Sequence, residues 1–178
     1  LSNSVRTALY PLGNLGMTAG ETNEYLGEYL DLQRTLGVLD TMTKAQQAKA
    51  SSEYLVNLTQ LSQITGKRRK QIAQDMKGAM KNTAFTAYLL TLDEDAAKKA
   101  MKNAEAVTGV LAAINPAAAE AFTEGLGRGS MMLTDYGKTM AAAGYANEMA
   151  AMDNIINSIK AGDMTEERGT REILGIQK

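Results

Sequence analysis

The sequence predicts an all-α fold: several short and medium helices separated by glycine breaks. Three observations carry this. Apolar residues recur at three- and four-residue spacing along most of the chain. Helix-capping residues stand at the starts of those stretches. No sustained alternation of apolar and polar residues marks a strand.

Residues 1–17 read as an irregular lead-in, broken by Pro11, Gly13 and Gly16. Thr18 and Glu21 have the spacing of a capping box. Behind them Tyr25, Leu26, Tyr29, Leu32 and Leu36 form a helical stripe that should run to about Thr35, with Gly37 near its end. Thr43 can cap a second helix carrying Tyr54, Leu55, Leu58, Leu61 and Ile64, closed by Thr65-Gly66. A third should span Lys67 to Lys81, and a short apolar one Ala84 to Leu90. Asp93 caps a helix from Glu94 to about Ile114. Asn115-Pro116 then starts another, Ala117 to Leu126, because asparagine suits the N-cap and proline the first helical position. Later helices are expected from Thr134 or Asp135 through Ala143, from Tyr145 to Lys160 and around Thr165 to Leu174. No fixed repeat period is present.

Gly125, Gly127 and Gly129 suggest a Gly-rich hinge over 125–130. It would divide a helical region, 18–124, from a C-terminal helical region, 131–178. The Tyr54 to Ile64 stripe and the Ala84 to Leu90 helix are expected to pack on each other or on identical chains, with Lys67 to Lys70 turned outward.

Composition narrows the function. The 178 residues could build one ordinary domain or two small ones. The apolar content leans on 27 Ala and 11 Met, with no Trp and two Phe. Alanine favours helix but buries little area, and methionine fills gaps without fixing one packing. A thin core of this kind implies a protein stabilised by assembly. No Cys and no His are present, which removes disulfides, thiolate metal sites and the commonest general base. A net charge of −1 gives no global attraction to nucleic acid or membrane. The chain opens on Leu1 without a leader-like apolar core, and so reads as a piece of a longer protein.

Local features add little chemistry. Lys67, Arg68, Arg69 and Lys70 are the densest charge cluster, a candidate contact for a partner or for nucleic acid, with a solvated helix start as the plain alternative. No aromatic platform interleaves them. Asp93, Glu94 and Asp95 lack the spacing of a calcium loop and suit a helix N-terminus. The pairs Glu21/Glu24 and Glu166/Glu167 are ordinary surface carboxylates. The Gly125-x-Gly127-x-Gly129 run is not a dinucleotide fingerprint, since no strand precedes it. Ala106 to Phe122 is apolar but short for a membrane span, and Asn115, Pro116 and Glu120 interrupt it. Two Ala-rich helices in close contact fit it better. No enzyme activity, metal or cofactor is expected.

The stretch NLTQLSQITGKRRKQIAQDMKGAMKNTAFTAYLL, residues 57–90, resembles segments of large phage tail proteins. A Leu-Ser-x-Ile-Thr-Gly-Lys phrase closes one helix there, a basic helix follows, and a short Phe-containing helix comes next. The upstream GMTAGETNEYLGEYLDLQRTLG suits the same proteins. The resemblance covers about a third of the chain and implies a bacteriophage tail tape-measure protein. Such proteins set tail length, fill the tube as helical oligomers and leave ahead of the DNA. Tail tube, hub or baseplate proteins would be the partners, with other copies of the chain beside them. Contact with DNA in the tube and with membrane on ejection would be secondary. The family places no catalytic residue on this segment. The Gly breaks depart from a long continuous ruler and point to the tail tip or to a globular insertion. Two other readings compete: an ejection protein forming a conduit across the host envelope, and a soluble helical adaptor.

Overall fold

The computed structural model describes residues 15–176, and every regular element among them is helical. The irregular lead-in expected over 1–17 therefore falls mostly outside the described residues; residues 15–18 are non-helical. The chain divides into two compact units, residues 1–73 and 74–178.

The first unit holds helix α1, Ala19–Thr35, and helix α2, Lys44–Thr65, joined through a 3-10 turn, Leu39–Thr41. Both helices start on a complete capping box, Thr18 with Glu21 and Thr43 with Gln46. Each box satisfies two backbone donors that a helix start leaves orphaned. Gly66, at φ 72°, closes α2. α1 packs against α2, and Tyr29 stacks on Tyr54 with ring centroids 4.4 Å apart. Leu26, Leu32, Leu36, Leu55 and Leu58 are buried around this pair. Leucine and tyrosine, not alanine and methionine, make this core.

The stripe on α2 is shorter than its spacing suggests. Tyr54, Leu55 and Leu58 are buried, Leu61 is half-buried, and Ile64 is 76% exposed. Each three-residue step falls about 60° short of a full turn at 3.6 residues per turn. Two such steps carry Ile64 about 120° away from Leu58, off the buried face.

Helix α3, Arg69–Met80, crosses from the first unit into the second. The second unit continues with α4 (Thr83–Leu89), α5 (Glu94–Ile114), α6 (Pro116–Arg128), a 3-10 turn (Met131–Leu133), α7 (Asp135–Met140), a wide turn over Ala141–Tyr145, α8 (Ala146–Ala161) and α9 (Glu166–Ile176). Asn82, Asp93, Asn115 and Thr134 each accept a backbone N–H at a helix start. α5 lies deep in the unit, with Met101, Ala104, Val107, Leu111 and Ala112 buried. α4 packs on α6, and α6 on α5. The partner of the Phe85 and Leu89 face is therefore α6, and the α2 stripe finds its own partner in α1. Alanine and methionine are prominent here, as the composition implied, but Phe85, Phe122, Leu126 and Ile155 fill the centre.

The hinge expected over 125–130 is not a linker. Gly125 and Gly127 lie within α6, which runs to Arg128; Gly129, at φ 101°, is its C-cap. A Cβ built on Gly127 would stand 2.2 Å from the backbone carbonyl carbon of Ala84. The glycine is there so that α6 can touch the backbone of α4. The division between compact units falls instead between Ala73 and Gln74, inside α3. The break before α8 is Gly144, at φ 102°.

Candidate partner surface

The basic run sits at the connection between α2 and α3. Ser62 donates its hydroxyl to the Lys67 carbonyl at 2.8 Å, and the Thr65 hydroxyl accepts the Lys67 N–H at 3.3 Å. Lys67 is half-buried and Arg68 exposed. Arg69 does not turn outward as expected. Its Nη2 donates to the Leu15 carbonyl at 2.7 Å and its Nη1 to the Gly16 carbonyl at 3.3 Å. Lys70 pairs with Glu24 of α1 at 3.2 Å. The Glu24 carboxylate, accepting that hydrogen bond, raises the lysine pKa above its ordinary value. Lys70 and Glu24 are both substantially exposed, so this pair adds little stability. The four cations are thus unequal. Arg69 and Lys70 tie α3 to the lead-in and to α1, and Arg68 presents its charge to solvent.

Other sequence features resolve as local structure. Asp93 Oδ1 accepts the Ala96 N–H at 2.9 Å, the ordinary use of an acidic N-cap. Glu21 accepts the Thr18 N–H at 2.8 Å, and that hydrogen bond, with a second from the Thr18 hydroxyl, holds its carboxylate below the usual range. Among the described residues no group of three acidic side chains gathers as a metal site. Also among them, no helix is long and apolar enough to cross a membrane. The apolar stretch Ala106 to Phe122 is the turn from α5 into α6, largely buried.

A surface that periodicity did not reveal lies between α6 and α8. In the turn Met131–Leu133 only Met131 is buried; Met132 and Leu133 are 40% and 49% exposed. A 3-10 turn advances a third of a circle per residue, so three consecutive apolar side chains point three ways and one can enter the core. The following wide turn exposes Ala142, Ala143 and Tyr145. The signal was present as the unbroken run Met131-Met132-Leu133, but its exposure depends on the turn type. Hydrogen bonds hold this turn and α7 against their neighbours. Ser130 donates to Asp153 of α8 at 2.6 Å, and Asn115 donates to the Tyr136 hydroxyl at 3.1 Å.

No family model, no curated protein and no solved structure matches this chain. The reading of its role rests on its own residues.

Proposed function

We propose that this chain is a structural, non-enzymatic segment of a virion: part of a bacteriophage tail tape-measure protein, seated in the tail tube or tip, where it sets tail length and leaves before DNA ejection. The observation that carries the assembly role is the apolar surface of the 131–145 segment. Met132 and Leu133 sit in a turn held by hydrogen bonds yet are left exposed, and Tyr145 is exposed further along the same segment. Adjacent exposed apolar side chains on an ordered turn suit a partner surface better than solvent. Tube, hub or baseplate proteins, or further copies of the chain, would cover it.

The phage assignment is supported by residues 57–90. The residues that carry the resemblance form consecutive elements: the end of α2, the Gly66 cap, α3 with its basic start, and α4. Two of the most exposed large apolar side chains, Ile64 and Leu90 at 76% and 78%, fall within this stretch. The engagement of Arg69 and Lys70 inside the chain favours a protein partner over DNA, since Arg68 and the half-buried Lys67 are a small footprint for a phosphate backbone.

The test is made on the particle. Tails purified from the source should contain the parent protein, and cryo-microscopy should place its helices in the tube or tip. In-frame deletions in the helical body of the parent should shorten the tails in proportion. Tails of unchanged length, or tails lacking the protein, would end this reading.

A further inference from the structure

The last helix is attached to the second unit in two grades. The link from α8 into α9 is firmly held: Asn103 of α5, itself buried, donates to the Met164 carbonyl at 2.8 Å, and Lys99 donates to the Gly162 carbonyl. Met164 is buried as well. Helix α9 lies along α5 but buries few large side chains. Ile173 is the one large apolar side chain it buries among the described residues. It meets α5 through a glycine: a Cβ on Gly169 would stand 2.8 Å from Val107 Cγ2. Toward α8 it packs only in part. An open groove of about 750 Å³ separates them, lined by Asn154, Asn157, Ser158, Arg168 and Glu172 among others.

Helix α9 has 11 residues and includes Gly169 and Gly175. A helix this short is marginal without tertiary support, and glycine lowers its propensity further. Burial of one isoleucine and one glycine seam must therefore offset the ordering of the whole element. We infer that α9 is a latch: it opens as a unit about the docked link at Met164, while α4 to α8 stay folded, and its opening uncovers the Val107 face of α5. This goes beyond the tail reading and does not depend on it.

Native-state hydrogen exchange on the full 178-residue chain tests the latch. Amides of Gly169 to Ile173 should exchange about a hundredfold faster than those of Ala104 to Leu111, the pattern of sub-global opening. Gly169→Ala drives a methyl into Val107 and should speed α9 exchange by a further tenfold or so, leaving α5 unchanged. Adding Val107→Ala to that variant makes room and should restore α9 to within about threefold of the parent. The latch is refuted if α9 and α5 exchange at one common rate in the parent chain. It is equally refuted if Gly169→Ala accelerates both helices alike.

Discussion

Leu55 and Ile64 sit on one helix nine residues apart and should answer truncation very differently. Leu55 is fully enclosed, so Leu55→Ala is expected to cost about 2–5 kcal/mol. Ile64→Ala should stay within about 0.5 kcal/mol, because the side chain is mostly in water already. Leu61 is half-buried and should fall between them; denaturant titration of the three variants checks the order. The Thr18–Glu21 box gives a pH prediction. Its hydrogen bonds depress the folded pKa of Glu21 below the ordinary glutamate value. The support it lends α1 is therefore fully present above that ordinary value and is lost as pH falls through the lowered one. A carboxyl NMR titration should place the Glu21 midpoint on the acid side of ordinary glutamate, and the midpoint should rise in Thr18→Ala. Capping residues were legible because cap chemistry is local, three residues from donor to acceptor. The inward turn of Arg69 was not. Its acceptors are backbone carbonyls 53 and 54 residues away, and a carbonyl leaves no mark in the residue code.

At the scale of elements, glycines separate packing from punctuation. Gly127→Ala would force a methyl into the backbone of Ala84, which no rotamer change relieves. A loss of about 3 kcal/mol or more is expected, with α4 displaced from α6. Gly78 lies on the exposed side of α3 with open space around it. Gly78→Ala should stabilise by about 0.5–1 kcal/mol through helix propensity. Thermal melts of the two variants should therefore move in opposite directions. From sequence alone, Gly125-x-Gly127 and Gly162 look alike. The first pair fits a neighbouring helix, and the second ends one at φ 77°. That difference is set by a neighbour some forty residues away, Ala84, and explains why a hinge was expected where a helix stands. Helix existence was readable throughout, because each apolar stripe and cap reports on its own segment. Which helix covers which stripe was not.

For the whole molecule, composition described an average over two unlike cores. The first unit is held by leucine and a tyrosine stack, and the Ala- and Met-rich character belongs to the second. Their sum should be a chain of moderate stability: calorimetry of the isolated protein is expected to show melting below about 65 °C, the upper end for mesophilic domains. Replacing both Met132 and Leu133 by Glu should leave helicity and melting nearly unchanged, since both side chains are outside the core. On the proposed tail role, the same double variant should fail to incorporate into tails, which pull-down of assembled particles would detect. The all-α class was legible from period and caps; the exposed 131–145 surface was not, because it arises from turn geometry that binary patterning does not encode.

The bonds from Arg69 to Leu15 and Gly16 have a kinetic meaning as well. They close a ring of more than fifty residues without a covalent link. Ring closure costs chain entropy, and the contacts of α1 with α2 span shorter loops, so the hairpin should assemble first and the guanidinium should lock last. A contact made after the folding barrier slows escape without hastening arrival. Arg69→Ala should therefore leave the refolding rate of the first unit nearly untouched and speed its unfolding. In stopped-flow traces the arginine would behave as a clasp, setting how long the ring stays closed.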